Sequence, residues 1–286
     1  MNNKTIASCA YPESKKGKKH LKNQTGLTLI ELMVALALGL LVVGVATTAM
    51  LGTRNVTSSV SDLSGIQQQA AYVMRLFGTQ LRQAGSLYLD LGLDPANGAG
   101  DIEANTAFHL RGSTDSAISE SNNGTVTIRF TGYEEPSFAG QGPISRNCRG
   151  APENITAGTT TAIESIFTLN GTDLRCEGNG ANAQPIAQNV ANFQVRYLLQ
   201  SDSAADPTML YTDAAGVGNN NWNRVQGVEV CLVLFGNDPI DLPAGTSYTD
   251  CDGTTAVNMT TLTGARRNRM HYVFRNVFQL RSQGLI

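Results

Sequence analysis

The chain has 286 residues, of which 41% are hydrophobic and 15% are charged. That is enough for one sizeable soluble domain or two small ones once a membrane segment is subtracted, and a single core is the simpler expectation. All six lysines precede residue 23, whereas the sequence after residue 26 has 22 acidic residues against 15 arginines. This negative balance argues against a nucleic-acid-binding surface over the whole domain.

An apolar segment follows the lysine-rich N-terminal segment. Between Lys22 and Arg54 the only charged residue is Glu31. As a helix, this run of about 25 residues would span about 38 Å at 1.5 Å per residue, more than the hydrocarbon core of about 30 Å. Basic residues on its N-terminal side predict a cytoplasmic N-terminus, so the remainder of the chain would be exported.

Two general explanations of this segment fit it poorly. A secretory signal peptide has a shorter apolar core, about 7 to 15 residues, followed by a small-x-small cleavage site, and Ala46–Ala49 is a poor match to that site. A plain signal anchor fits the length and the flanks. It leaves Glu31 unexplained, because a charge at mid-bilayer costs about 2.5 to 3.5 kcal/mol, although its place near the cytoplasmic end lowers that cost.

The stretch GLTLIELMVAL, Gly26 to Leu36, resembles the class III signal of type IV pilins and their relatives. The resemblance implies that a prepilin peptidase cuts between Gly26 and Leu27, that the new amine of Leu27 is methylated, and that residues 1–26 are a removed leader. It also implies subunit docking through Glu31, whose carboxylate would meet the N-terminal amine of a neighbouring subunit and so offset the desolvation of both charges. This chain departs from the usual pattern in having Leu27 instead of phenylalanine and a leader that is long for the type IVa group.

Helical periodicity continues beyond Gly52. An apolar residue recurs about every 3.5 positions, which indicates one buried stripe on a continuing helix. The stripe consists of Val56, Val60, Leu63, Ile66, Ala70, Val73, Phe77, Leu81 and Ala84. Gly85 is a suitable stop. Residues 27–84 would then form a helix of about 87 Å, with a transmembrane half (27–52) and an amphipathic periplasmic half (53–85).

The sequence predicts that residues 86–286 form a globular, β-rich head. Strands are expected at TVTIRFTGYE, in a hairpin IFTLNGTDLRC with a type I′ turn at Asn170-Gly171, and at NFQVRYLL, GVEVCLVLF and HYVFRNVFQLRS. Surface loops are expected at 87–105, 137–160, 201–221 and 237–263. The predicted fold class is α+β: a pilin-like ladle whose long N-terminal helix packs on an antiparallel β-sheet head with two disulfides.

Several stretches resemble the PilW-type minor pilins. They are LRQAG at the helix end, TVTIRFTG, NCRG, LRC, VANFQVRYLL, WNRVQGVEVCLVLF and RRNRMHYVFRNVFQLRSQ. The four cysteines of the head predict two disulfides in an oxidising compartment. Three pairings are open to them, and the layout of the family implies Cys148 with Cys176 and Cys231 with Cys251.

Catalytic and metal sites are not indicated by the sequence. His109 and His271 are widely separated and are expected to be solvent-facing strand residues, so we predict no enzyme activity, no metal and no cofactor. The stretch YTDCDGTT has acidic oxygens near a glycine but lacks a full calcium-ligand spacing, which favours a disulfide-anchored turn. Arginines at 266, 267, 269 and 275 could contact DNA or a partner, but edge-strand charge that limits aggregation is the stronger interpretation.

The resemblance implies a minor pilin of type IV pilus assembly, in a priming or tip complex that serves motility, adhesion or DNA uptake. Its partners would be the prepilin peptidase, other minor pilins, the major pilin and the inner-membrane assembly platform, with nucleic acid involved only through DNA uptake. It would cross the inner membrane once, with a periplasmic head, before entering the pilus. Two alternatives stay open: a minor pseudopilin of a type II secretion system, and a signal-anchored periplasmic binding or adhesion protein.

Overall fold

A computed structural model of the chain describes residues 26, 28–86, 88–89, 108–109, 116–121, 124–132, 145–150, 162–201 and 208–280. The chain divides into two compact units, one that ends at Arg54 and one that begins at Asn55. Leu27 and residues 1–25 of the leader lie outside the described residues.

The first unit contains the beginning of helix α1 (Leu29–Gln83). Its leucine, valine and methionine side chains are exposed all round the helix, with Leu29 at 77% and Leu40 at 73%. The helix is long and apolar enough to cross a membrane. Within the described residues α1 begins two residues later and ends one residue earlier than the expected span of 27–84.

In the second unit, the later part of α1 buries most of the predicted apolar stripe. Six of its members are buried: Ile66, Ala70, Val73, Phe77, Leu81 and Ala84. Val60 is 62% exposed, so its expected burial is wrong. The side chain of Val56 lies outside the described residues. After Gln83 the chain turns at Gly85, which has a φ of 71° and occupies the predicted stop.

The head is built from thirteen strands in the described residues. They are β1 (Tyr88–Leu89), β2 (Phe108–His109), β3 (Ile118–Glu120), β4 (Val126–Thr131), β5 (Ala162–Asn170), β6 (Asp173–Gly178), β7 (Gln184–Ala187), β8 (Val190–Gln200), β9 (Met209–Thr212), β10 (Val225–Phe235), β11 (Ser247–Thr249), β12 (Ala256–Asn258) and β13 (His271–Gln279). A short helix, α2 (Ala214–Val217), follows β9, and 3₁₀ turns occupy Trp222–Arg224 and Gly264–Arg266.

Two antiparallel sheets dominate the head. One has five strands in the order β3-β4-β5-β6-β7, and the other has four in the order β13-β10-β8-β9. Strands β1 with β2 and β11 with β12 form two further small sheets. The predicted α+β class is confirmed. The sequence predicted one antiparallel sheet, whereas the structure has two large ones. Three of the expected loops contain short strands. Strands of two to four residues are too short to show alternating hydrophobicity.

The hairpin between β5 and β6 has a different turn from the expected one. Asn170 pairs with Asp173, so the two loop residues are Gly171 and Thr172. Gly171 has a φ of 64°, and Thr172 is not among the described residues with positive φ. A positive φ at the first loop position alone is the pattern of a type II′ turn, where glycine comes first.

The main core lies where α1 meets both large sheets. The ring of Phe77 lies 4.1 Å from that of Phe167 on β5 and 5.6 Å from that of Phe193 on β8. Gly78 allows a close approach to β13, because a Cβ there would lie 2.9 Å from the ring of Phe278. Strand β10 is buried on both faces: alternate residues such as Leu232 face the main core, whereas the intervening ones pack around a smaller cluster with Cys251.

Candidate functional site

The first turn of α1 carries the predicted docking residue. The backbone N–H of Glu31 donates to the hydroxyl oxygen of Thr28 at 3.3 Å, and the N–H of Leu32 donates to the carbonyl of Thr28 at 3.2 Å. Thr28 therefore acts as the N-cap, and Thr28-x-x-Glu31 has the sequence spacing of a capping box. A carboxylate in the first turn also interacts favourably with the helix dipole. The sequence interpretation missed Thr28, although its spacing to Glu31 was visible.

Gly26 lies just before this cap and is exposed. Of the predicted cleavage pair, Gly26 is thus outside the helix and accessible, whereas Leu27 lies outside the described residues. A peptidase needs an extended, accessible backbone, and the start of α1 at Leu29 leaves residue 26 free of helical hydrogen bonds.

The apolar part of α1 satisfies its few polar groups internally. The hydroxyl of Thr47 donates to the carbonyl of Val43 at 2.6 Å, and that of Thr48 donates to the carbonyl of Val45 at 2.9 Å. Such bonds let threonine enter a lipid or helix-lined environment without an unpaired donor. A Cβ at Gly39 or Gly44 would meet nothing within 4 Å, so these positions offer backbone for close approach of another helix.

A buried polar network joins the end of α1 to the head. Gln80 is only 2% exposed; its Nε2 donates to the carbonyl of Arg146 at 3.0 Å, and its Oε1 accepts from the hydroxyl of Ser165 at 2.8 Å. The hydroxyl oxygen of Ser165 in turn accepts from the N–H of Cys148 at 2.9 Å. Directional hydrogen bonds therefore hold the helix to strand β5 and to the loop 145–150. The sequence analysis did not predict this network.

A second polar attachment lies about five turns earlier on α1, near the start of the head unit. The carboxylate of Asp62 accepts the backbone N–H of Asp238 at 2.9 Å, and the hydroxyl of Ser58 donates to the carboxylate of Asp238 at 2.5 Å. Gly236 is required beside them, because a Cβ there would lie 2.8 Å from the carboxylate of Asp62.

Both disulfides join the pairs that the family layout implies. Cys148 is bonded to Cys176, which ties the loop 145–150 to β6. Cys231 on β10 is bonded to Cys251 after β11. All four cysteines are buried, so these bonds fix loops to the sheets from inside the head.

The expected arginine cluster is divided between structural and exposed residues. Arg275 donates to the carbonyl of Cys251 at 2.9 Å and lies 3.5 Å from the carboxylate of Glu229. Arg269 donates to the carbonyl of Gly236 at 2.9 Å. Arg267 is exposed. Arg269 and Arg275 therefore stabilise loop backbones, a role that was not expected for them. Edge-strand charge that limits aggregation stays a prediction for the cluster.

His271 is not solvent-facing as expected. It is 7% exposed, its ring stacks on Tyr248 with centroids 4.9 Å apart, and its Nδ1 lies 2.9 Å from the carbonyl of Arg269. Burial lowers the pKa of His271. A carbonyl only accepts, so Nδ1 carries the proton and Nε2 is a buried acceptor without a hydrogen bond. The side chain of His109 lies outside the described residues.

A tyrosine and a glutamate, both titratable, join the two large sheets. The hydroxyl of Tyr197 on β8 donates to the carboxylate of Glu120 on β3 at 2.6 Å. Burial raises the pKa of both groups. The ring of Tyr197 is buried and packs edge-on against Trp222 at 4.9 Å, so the tyrosine is part of the core, whereas Glu120 is partly exposed.

The acidic turn after β11 is closed on itself. The carboxylate of Asp252 accepts the backbone N–H groups of Thr254 and Thr255 at 2.9 and 2.8 Å, and these bonds, with one from the hydroxyl of Thr255, lower its pKa to about 2. Within the described residues no group of three metal-ligating side chains occurs. The turn is thus a disulfide-anchored turn, as the sequence favoured.

Comparison with known families gives two matches that fit this geometry. The family described as type IV pilus-assembly protein W matches residues 154–282, which cover β5 to β13. The prokaryotic N-terminal methylation motif matches residues 21–47, which cover the predicted cleavage site and the start of α1.

A solved structure of a type IV-like pilin from Thermus thermophilus aligns with 77% of this chain and 98% of its own chain, at 13% sequence identity and a TM-score of 0.38. No curated protein matches the chain.

A prepilin-type methylation motif on a long apolar helix, followed by an α+β head with antiparallel sheets and two disulfides, defines a type IV pilin. Within that class, the PilW match over residues 154–282 and the methylation motif support a PilW-type minor pilin of type IV pilus assembly. Pilins are structural subunits, and membership implies association with a membrane and with other pilus components.

Proposed function

We propose that this minor pilin acts by docking through α1 in a priming or tip complex of the pilus, without catalysis. A prepilin peptidase cuts between Gly26 and Leu27 and methylates the amine of Leu27. Glu31 then receives the N-terminal amine of a neighbouring pilin. The functional parts are the leader (1–26), the transmembrane half of the helix (27–52), its amphipathic half (53–85) and the head (86–286).

The observation that carries this proposal is the unpartnered apolar surface of α1. Large side chains from Leu29 to Leu51 are more than half exposed, and burial of each such side chain is worth about 1.5 to 3 kcal/mol. A bilayer supplies that burial before assembly, and other pilin helices supply it afterwards. Apolar packing is non-directional, so the single charge of Glu31 gives the docked helix its register.

The membrane orientation follows from the charges that flank the segment. The leader carries six lysines, and the next basic residue is Arg54, which predicts a cytoplasmic N-terminus and a periplasmic head. The periplasm is oxidising, as the two buried disulfides require. Partners in this scheme are the peptidase, the other minor pilins, the major pilin and the assembly platform. Motility, adhesion or DNA uptake would be outputs of the assembled pilus.

The proposal is tested by comparing Glu31→Ala with Leu32→Ala in cells that lack the wild-type chain. Both variants should insert in the membrane and be cleaved. Loss of an ion pair in a low-dielectric site should lower the amount of Glu31→Ala in sheared pili about tenfold or more, because a charge left unpaired there costs several kcal/mol. Leu32→Ala removes apolar packing area alone, worth about 2 kcal/mol at most, and should lower the amount in sheared pili less than Glu31→Ala does.

Intact-mass measurement of the purified chain supplies the second readout. All lysines lie before residue 23, so the processed chain should contain none and should begin with N-methylated Leu27. A mature chain that retains lysine contradicts cleavage at Gly26. Normal entry of Glu31→Ala into pili, with normal co-purification of other pilins, contradicts docking through Glu31.

A further inference from the structure

One exposed side of α1 in the head unit is rich in arginine. Tyr72, Arg75, Thr79 and Arg82 are all exposed, and their positions fall within about 80° of the helix circumference at 100° per residue. Arg75 and Arg82 are seven residues apart, or about 10.5 Å along the axis. We call these four residues the arginine face.

Grooves flank the arginine face on both sides. One lies between α1 and β13 and is lined by Met74, Gly78 and Phe278 together with both arginines of the face. The other lies between α1 and the loop 145–150, which brings Arg146 and Arg149 to the same region. No acidic residue is among the described residues that line either groove.

Arg75 and Arg82 are poorly neutralised by the described part of the chain. Nε of Arg82 donates to the carbonyl of Gly78 at 2.8 Å, which holds its guanidinium along the helix. Neither it nor Arg75 forms an ion pair with the described residues. Acidic residues outnumber arginines in the sequence after residue 26. A local positive surface on a negatively charged chain is complementary to a partner that presents carboxylates.

The composition of the surface favours a protein over a nucleic acid. Tyrosine and arginine are the residues that most often dominate protein interfaces, and Met74 and Phe278 add apolar surface in the adjoining groove. Nucleic-acid affinity grows with the number of phosphates that Lys and Arg neutralise, and the arginine face supplies two such residues, Arg75 and Arg82. The net negative charge of the chain would also oppose a polyanion at long range.

We propose that the arginine face is a docking surface for a carboxylate-bearing surface of another, different pilin subunit in the same assembly. The proposal rests on the proposed function and adds a second contact to that of Glu31. The tyrosine and the groove walls supply apolar packing, while Arg75 and Arg82 select a partner with an acidic side chain between them.

Site-specific photo-crosslinking in pilus-assembling cells tests this contact. A benzophenone amino acid replaces Thr79, between the two arginines, and in a control chain it replaces Thr261, an exposed residue elsewhere on the head. We expect position 79 to form an adduct with another pilin, identified by mass spectrometry, at a peptide with an Asp or Glu near the crosslinked residue.

Charge reversal then separates electrostatic docking from chance proximity. Arg75→Glu should lower the adduct at position 79 about tenfold or more, because like charges brought face to face cost several kcal/mol. Arg75→Lys should keep most of it. Arg267→Glu makes the same charge change at an exposed arginine and should alter the adduct less than about twofold. Replacing the acidic residue of the partner by arginine should restore the adduct in the Arg75→Glu chain.

Four outcomes would overturn the proposal. They are no adduct at position 79 in cells that assemble pili, an adduct with a second copy of this chain, a nuclease-sensitive adduct, and an adduct that Arg75→Glu leaves unchanged. If position 79 gives one of these while Glu31→Ala still blocks incorporation, the arginine face fails and the proposed function stands. If Glu31→Ala enters pili normally, the proposed function fails instead.

Discussion

Gln80 offers the sharpest test of how α1 is held to the head. Gln80→Leu keeps the size and the helix propensity of the side chain but removes two buried hydrogen bonds, one to the carbonyl of Arg146 and one from the hydroxyl of Ser165. Each bond is worth about 0.5 to 1.5 kcal/mol, and a buried hydroxyl left without its acceptor adds about 1 to 3 kcal/mol. We expect a loss of about 2 to 4 kcal/mol in the free energy of unfolding.

A matched control lies one turn away on the same helix. Gln83 has a buried Oε1 without a hydrogen-bond partner, so Gln83→Leu makes the same chemical change without breaking a bond at that atom. Its unfolding free energy should change by less than about 0.5 kcal/mol or rise, since an unsatisfied buried acceptor is removed. The difference between the two variants isolates the network from side-chain size and propensity.

The chain contains a single tryptophan, which makes the assay direct. Trp222 is 7% exposed and packs in the main core, so its fluorescence reports urea unfolding of the detergent-solubilised, processed chain. With an m-value of about 3 kcal/mol per molar urea, Gln80→Leu should lower the midpoint by about 1 M.

A double-mutant cycle gives the result that would refute this account of Gln80. Ser165→Ala removes the orphaned hydroxyl, so Gln80→Leu with Ser165→Ala should cost about 1 to 2 kcal/mol less than the two single losses added together. If the losses simply add, or if Gln80→Leu is no worse than Gln83→Leu, the network does not hold the helix.

Three further predictions concern the head. Burial lowers the pKa of His271, so the folded chain binds a proton on this imidazole less tightly than the unfolded chain does. Urea midpoints should therefore fall as the pH drops below 6.5, the ordinary pKa of histidine. His271→Phe should make the midpoint depend less on pH. Burial raises the pKa of Glu120, so this carboxyl contributes most to stability below pH 4.5, and the contribution is lost as the pH rises through its higher pKa in the folded chain. Glu120→Gln still accepts the hydrogen bond from Tyr197 and should be at least as stable as the wild type at pH 7. Replacing Cys231 and Cys251 by alanine opens a loop of 20 residues and should cost about 3 kcal/mol in the chain-entropy model, seen as a lower melting temperature than that of the wild type without reductant.

Periodicity predicted the helix well and its burial less well. The spacing of apolar residues continued without interruption from the membrane segment to Ala84, and the structure buries Ile66 and the members that follow it. Val60 has the same spacing but is 62% exposed. It lines an open groove with Leu63 and Ile240. Periodicity shows which side of a helix is apolar, but it does not show where the covering sheet ends.

Long strands were visible in the sequence, whereas short ones depended on distant partners. Strands β8, β10 and β13 have nine or more residues each, enough for strand composition to be recognised. Strands β9, β11 and β12 have three or four. Their pairing is set by neighbours and by the bond of Cys251 to β10, which local sequence does not encode.

Glu31, the proposed docking residue, can be picked out from its neighbours in the sequence, whereas the polar attachments of the helix cannot. Glu31 stands out as one charge in an apolar run, and its cap at Thr28 could have been found by the same local reading. Gln80 and Ser165 are 85 residues apart. A glutamine on a helix is solvent-exposed in most proteins, so burial of Gln80 in a core could not be predicted from the sequence.

The arrangement of polar groups along α1 suggests how the helix can serve both as an anchor and as part of the head. If the subunit is held through its helix as proposed, any force on the pilus would pass from α1 to the sheets. Apolar packing around Phe77 resists separation but tolerates sliding, because it is non-directional. Hydrogen bonds at Gln80 and at Asp62 fix the helix along its axis, and Cys148 fastens the loop that Gln80 contacts to β6. The head therefore keeps its register on α1 through directional bonds that the exposed, docking part of the helix lacks.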